Sequence, residues 1–197
     1  MKNIDANRFG YCVSVFTALL TVVTFGIAVC TPPLSGPFCK GDCFQYPYTD
    51  IIGRFPRDYY WMYPAILLSF SYLVMMITVH RSIPPERNLF STVASGFAII
   101  SSLILSADYF IQVSFIQPSL LAGETDGVAM MSQFNPHGIF IILEELGFVT
   151  MGLSFLFLVP VFGGPTRLEK SLRLTFIISF CLTLAAFAAI SAIHGIM

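Results

Sequence analysis

Few side chains in this sequence could do chemistry, and three of them are carboxylates at the edges of long uncharged stretches. Asp108 ends one such stretch, and Glu144 and Glu145 precede another. Carboxylates in apolar surroundings are typical of proton relays and cation sites, and three close together cannot all stay ionised. Carboxylate and imidazole groups would also suit a divalent metal. The residues that we consider for ligand binding are Asp108, Gln112, His137, Glu144, Glu145 and His194.

The distribution of charge indicates the elements that must position these residues. Only 11 % of the 197 residues are charged, 56 % are hydrophobic, and the mean hydropathy is +0.79. Soluble domains usually carry about 25 % charged residues. About 20 helical residues cross a hydrocarbon core of about 30 Å. Runs of that length without Asp, Glu, Lys or Arg lie at 9–39, 59–80, 88–107, 146–166 and 174–197. We therefore predict an all-α fold, a polytopic transmembrane helix bundle with 1–197 as a single transmembrane domain.

Local signals set the expected ends of the helices. Asn135 followed by Pro136 reads as an N-cap and first helical residue. Gly163-Gly164-Pro165 predicts the end of the same helix, and Pro118 the end of the helix before it. The five predicted spans are about 9–30, 59–79, 89–117, 136–162 and 174–197, with a loop at 31–58.

The basic residues predict an orientation. With a cytoplasmic N-terminus, seven of the ten Lys and Arg residues lie inside: Lys2, Arg8, Arg81, Arg87, Arg167, Lys170 and Arg173. The positive-inside rule then makes the loop 31–58 extracytoplasmic in a multi-pass protein of the cell membrane. The net charge of −1 provides no basic surface, so we expect the lipid bilayer and no nucleic acid as a partner.

Several of these polar residues are predicted to lie at the same depth in the bilayer. Counting about 20 residues from the cytoplasmic end of each span reaches Asp108, then Glu144 with Glu145, and then His194 at one level near the outer boundary. His137 precedes Glu144 by seven residues, which places it on the same helical face. An ordinary structural explanation stays open, because carboxylates at a membrane boundary can be hydrated or can snorkel.

Three cysteines fall on the predicted extracytoplasmic side, which permits disulfides. We expect one bridge, Cys30–Cys39 or Cys30–Cys43, that pins the proline-rich segment 31–33, and one leftover thiol. Metal binding by Cys39 and Cys43 with Asp42 is disfavoured, because no His lies nearby and no second C-x-x-C occurs. We expect no cofactor. The many aromatic residues of this loop predict an interfacial belt and a lid on the headgroups.

Small and hydroxyl residues recur at helical spacing and predict close packing of the helices, within the chain or in a homo- or hetero-oligomer. The first face is Ser14, Thr17, Thr21 and Thr24; the second is Ser91, Ser95, Ala98, Ser102 and Ser106; the third is Gly147, Thr150 and Ser154. No larger polar groups continue toward the cytoplasmic side, which argues against a through-going ion channel made by one chain.

The stretches from Thr31-Pro32-Pro33 to Cys43, Arg57-Asp58-Tyr59-Tyr60-Trp61-Met62-Tyr63-Pro64, and Phe134-Asn135-Pro136-His137-Gly138 to Glu144-Glu145-Leu146-Gly147 resemble uncharacterised prokaryotic multi-pass membrane proteins. The resemblance covers the whole chain and implies no activity or functional residue. It implies a sixth span beyond Met197, lost by truncation.

Three functional hypotheses follow. The first is an integral membrane protein that binds a small ligand, lipid or cation at an outer-leaflet acidic layer. The alternative is a non-catalytic assembly or scaffold subunit, and a weaker one is a membrane-embedded enzyme acting on a lipid. No nucleotide-binding, zinc-protease or serine-hydrolase motif occurs, which disfavours an enzyme.

Overall fold

The structure is a computed structural model that describes residues 6–36 and 39–194. These residues form helices and no strand, which confirms the predicted all-α class. Five segments are long and apolar enough to cross a membrane: Asn7–Val29, Arg57–Arg81, Pro85–Ala122, Ile139–Leu158 and Arg167–Ala192. The helices are α1 (Ala6–Val29), α2 (Met62–Arg81), α3 (Asn88–Ile111), α4 (Gln117–Ala122), α5 (Val128–Met131), α6 (Ile139–Leu158) and α7 (Arg167–His194).

Each of the five long helices packs mainly against the long helix before it and the one after it in sequence. The main contacts join α1 to α2, α2 to α3, α3 to α6, and α6 to α7. We call the end that carries 31–36, 39–61 and 123–138 the loop end, and the opposite end, with Arg81, Arg87 and Arg167, the basic end. At the basic end, the Arg87 guanidinium donates to the Val161 carbonyl at 2.7 Å and so ties the start of α3 to the chain after α6.

Small residues bring the helices together inside the chain. The Ser101 hydroxyl donates to the Gly147 carbonyl at 2.9 Å, joining α3 to α6. A Cβ atom added at Gly147 would lie 2.5 Å from Leu105 Cδ2, so a larger residue here would require the buried Leu105 side chain to move. Two further contacts join α3 to α2 and α1 to α2, namely Ser102 to the Ser69 carbonyl and Thr17 to Ser71.

The predicted bounds of the fourth span are wrong at both ends. Asn135 Oδ1 accepts the His137 N–H at 3.0 Å, so Asn135 forms a turn before the helix and Gly138 is the N-cap of α6. The helix ends at Leu158, because Pro160 has no N–H to continue the ladder. The Val159 N–H bonds to the Leu156 carbonyl instead, which tightens the last turn.

Pro118 does not end the third span. A π-helical turn, Gln112–Ile116, follows α3, and α4 then continues to Ala122. Pro118 occupies the first turn of α4, where a missing N–H costs little. The fifth span begins seven residues before the predicted Leu174, because Thr166 caps α7. Its hydroxyl accepts the Glu169 N–H at 3.2 Å and donates to the Glu169 carboxylate at 2.7 Å.

The predicted cysteine pairing is also wrong. The disulfide joins Cys39 to Cys43 with their Cα atoms 6.0 Å apart, and Cys30 is an exposed free thiol. Cys30 belongs to the last turn of α1, where its N–H bonds to the Ile27 carbonyl. Gly41, at φ +95°, allows the tight turn between the bridged residues. Both sulfurs are therefore engaged, and Cys39 and Cys43 are not free to bind a metal.

The aromatic loop folds over the loop end as a lid, and part of it is core rather than belt. Tyr59 is fully buried, and its ring packs against Phe134, which also meets Phe44 edge-on at 5.3 Å. Tyr46 and Tyr60 are exposed, as an interfacial belt requires. Phe38 lies outside the described residues.

Candidate functional site

The contact at the centre of the site joins α3 to α6. The Tyr109 hydroxyl donates to Glu144 Oε1 at 3.0 Å. The Tyr109 ring is buried, with the Trp61 ring edge-on at 5.2 Å and the Phe140 ring at 6.1 Å. Three helices thus meet at one level near the loop end, and aromatic rings surround the hydroxyl–carboxylate pair.

Asp108 precedes Tyr109 in α3, and its buried carboxyl group is incompletely hydrogen-bonded. Its side chain is 1 % exposed, and its Oδ2 atom has no hydrogen-bond partner. Glu144 is an electrostatic neighbour of Asp108, so two ionised carboxylates here would repel each other. Burying a carboxylate without a partner is costly, so such atoms are rare in folded proteins and call for an explanation. Either a proton or a cationic partner relieves the repulsion.

A cavity of about 460 Å³ opens beside Glu144, between α1, α2, α3 and α6. It runs from Thr17 and Met75 in the middle of the bundle to Trp61 and Glu144 near the loop end. The twelve residues from Glu144 to Phe155 on its α6 wall span about 16 Å at 1.5 Å per residue, or roughly half of the hydrocarbon core. Most of the lining is apolar, so Glu144 is the charged exception.

A second cavity, of about 450 Å³, lies between α6 and α7. Glu144 and Glu145 both border it, so Glu144 lies between the two cavities and Glu145 faces only the second. This agrees with the rotation of about 100° between adjacent helical residues.

The other residues considered from sequence lie apart from this centre. The Gln112 amide donates to the Met131 carbonyl at 2.5 Å and accepts the Gln133 N–H at 3.0 Å, so it holds the loop before α6. His137 is exposed and precedes α6, so it does not share a helical face with Glu144 as predicted. His194 ends α7, and its side chain lies outside the described part of the chain.

Sequence reasoning missed Tyr109 as a site residue. Tyr109 follows Asp108 directly and lies at the same depth, so the count that selected Asp108 could have included it. The cavity had no signal in the sequence, because its existence depends on the spacing of four helices.

Within residues 6–36 and 39–194, no group of three or more His, Cys, Asp or Glu side chains is arranged to hold a metal ion. No protein-family model, curated protein or solved structure matches this chain. The site must therefore be interpreted from its own geometry.

Proposed function

We propose that this is an integral membrane protein that binds a small ligand, a lipid or a cation, at the layer formed by Asp108, Tyr109 and Glu144. The observation that carries the proposal is the position of Glu144. This carboxylate is the charged group on the wall of an apolar cavity that has the size of a ligand site. Carboxylates inside membrane segments are expensive and typically functional.

The protein itself satisfies this layer only in part. Tyr109 supplies one hydrogen bond to Glu144, whereas Asp108 Oδ2 receives none. A purely structural layer would be expected to pair its buried oxygens with protein donors. An incomplete layer beside a cavity is the arrangement that a bound ligand would complete.

The proposal includes an orientation. We place the N-terminus in the cytoplasm and the loop end outside, following the distribution of Lys and Arg, so that the site opens in the outer leaflet of the cell membrane. Cys30 is exposed at the loop end and permits a test in a chain that carries Cys12→Ser and Cys181→Ser. An impermeant maleimide should label intact cells at Cys30. Labelling only after permeabilisation would reverse the orientation.

Binding itself is tested by a thermal-shift panel of divalent metals, lipids and organic cations on the purified protein. A compound at 100 times its Kd stabilises the folded state by about 2.7 kcal/mol. We expect at least one compound to stabilise the native chain and to do so less in Asp108→Asn and Glu144→Gln. Glu124→Gln, an exposed carboxylate at the loop end, is the matched control. If no compound distinguishes the variants from the control, the proposal is wrong.

A second function is favoured by one observation. α7 contacts mainly α6, and it buries the smallest share of any span. A non-catalytic assembly subunit would cover such a helix with a partner. That alternative predicts that a partner protein copurifies at a fixed ratio in mild detergent. Bulky residues placed on α7 should then abolish the binding of this partner.

A further inference from the structure

We propose that the ligand is a lipophilic organic cation, with its charge at Glu144 and its apolar groups in the cavity between α1, α2, α3 and α6. This inference rests on the proposed function and specifies the chemistry of the ligand. It follows from the charge, the aromatic surface and the size of that cavity.

The charge of the cavity selects a cation. Glu144 is on the wall, and the carboxyl group of Asp108 interacts with it electrostatically from outside the cavity lining. No Lys, Arg or His is among the described residues that line the cavity. A buried anion is stabilised only by an opposite charge or by hydrogen-bond donors, and Tyr109 is the donor seen at Glu144. An anionic or phosphate-bearing ligand would face two carboxyl groups with no counter-charge.

The aromatic surface favours an organic cation over a hydrated one. Aromatic faces attract cations, most strongly where water is excluded. Trp61 and Tyr109 lie at the level of Glu144, so a positive group there would contact rings and a carboxylate together. The aromatic residues that line the cavity are Phe25, Trp61, Tyr72, Tyr109, Phe148 and Phe155.

The size and lining of the cavity exclude a small metal ion as its main occupant. Ca²⁺ needs six to eight oxygen ligands and Mg²⁺ needs a nearly octahedral set, whereas these walls are mostly apolar. A volume of about 460 Å³ is in the range of drug-sized ligands. A quaternary ammonium or phosphonium ion keeps no tight shell of water and can fill such a volume with its own apolar groups.

The test compares two ions of nearly the same size and shape and of opposite charge. Tetraphenylphosphonium and tetraphenylborate are each added to the full chain in phosphatidylcholine nanodiscs, and saturable binding is measured by equilibrium dialysis against empty nanodiscs. We expect tetraphenylphosphonium to bind one per chain and tetraphenylborate to show no saturable binding. Glu144→Gln should lower the affinity for tetraphenylphosphonium at least tenfold, and Glu124→Gln should leave that affinity unchanged.

A second pair of variants tests the cavity without touching a carboxylate. Thr21 lines the cavity from α1, so Thr21→Trp should fill it and abolish binding. Val22, the next residue, is 72 % exposed on the other side of α1, so Val22→Trp should bind as the native chain does. This pair keeps the inference testable if Glu144→Gln fails to fold.

Three results would overturn the inference: equal binding of the two ions, no binding of tetraphenylphosphonium, or binding that survives both Glu144→Gln and Thr21→Trp. If tetraphenylphosphonium does not bind but another compound of the thermal-shift panel binds in a Glu144-dependent way, the inference is wrong and the proposed function stands. If no compound binds in a Glu144-dependent way, both are wrong.

Discussion

Two buried aspartates in this protein have opposite surroundings. Asp58 is fully buried near the loop end and receives two hydrogen bonds from the Arg54 guanidinium, at 2.7 and 3.2 Å. Asp108 is buried as deeply, but one of its oxygens has no partner and its charged neighbour is another carboxyl group, that of Glu144. The first aspartate is satisfied by the protein, and the second is not.

The difference separates a structural polar residue, Asp58, from Asp108, which we propose as a binding residue. A bidentate ion pair completes the hydrogen bonds of Asp58 and fixes the chain where it enters α2. A half-satisfied group destabilises the fold on its own, and under the proposed function a partner from outside the chain would complete it. The two glutamines of the same region differ in a similar way: both amide atoms of Gln112 are bonded to the loop before α6, whereas the Gln117 amide has only a weak contact with the Tyr59 hydroxyl.

The largest effect is expected from removing the partner of Asp58. Arg54→Ala leaves a fully buried carboxylate without its cation, which we expect to lower the free energy of unfolding by about 3 to 5 kcal/mol. Reversible denaturation in mixed micelles measures this change. Arg57→Ala, at an exposed arginine in the same segment, is the control and should change little. Equal effects of the two variants would show that Asp58 is not held by Arg54.

The same substitution at the two aspartates should have opposite signs. Asp108→Leu removes a buried polar atom that has no partner, so we expect it to raise the free energy of unfolding by about 1 to 3 kcal/mol. Asp58→Leu breaks the ion pair and should lower it by a similar amount. Both are measured by denaturation in mixed micelles. A loss of stability in both variants would abolish the distinction on which the comparison depends.

The glutamines extend the comparison to uncharged groups. Gln112→Leu leaves the Met131 carbonyl and the Gln133 N–H without their partner, so we expect a loss of about 1 to 3 kcal/mol in the free energy of unfolding. Gln117→Leu removes only a weak contact with the Tyr59 hydroxyl and should cost less. The two midpoints of denaturation should therefore separate, and coincident midpoints would contradict the assignment of roles.

The smallest effect is expected at Tyr109, the hydrogen-bond donor of Glu144. Tyr109→Phe removes the hydroxyl and keeps the buried ring, so it should lower the free energy of unfolding by about 1 kcal/mol. Tyr63→Phe, on an exposed ring of α2, should leave it unchanged. A Tyr109→Phe variant as stable as the native chain would mean that Glu144 does not depend on this bond.

The sequence predicted the features that depend on the cost of burying charge. Uncharged length identified all five spans, because a charged side chain in hydrocarbon is costly whatever its neighbours. The same count found the level of Asp108 and Glu144. Helix ends were less predictable, because Asn135 can cap a helix or form a turn, and Pro118 can end a helix or begin one.

The remaining features depend on where helices lie relative to one another. Which cysteines pair is decided by the path of the loop, and Cys39 reaches Cys43 while Cys30 belongs to α1. The bond from Tyr109 to Glu144 requires α3 to pack on α6 at one particular rotation. The period of the small residues shows that helices approach closely, but it does not show which helices are neighbours.

The lengths of the two helices that form the site differ greatly. The span from Pro85 to Ala122 has 38 residues, about 57 Å of helix, whereas α6 has 20, about 30 Å. The long span can tilt or protrude to suit membranes of many thicknesses, but α6 has no surplus. Glu144 lies about 8 Å from the start of α6. Longer lipid tails would therefore submerge this carboxylate and shorter ones would hydrate it, so the affinity for the proposed ligand would depend on the host bilayer.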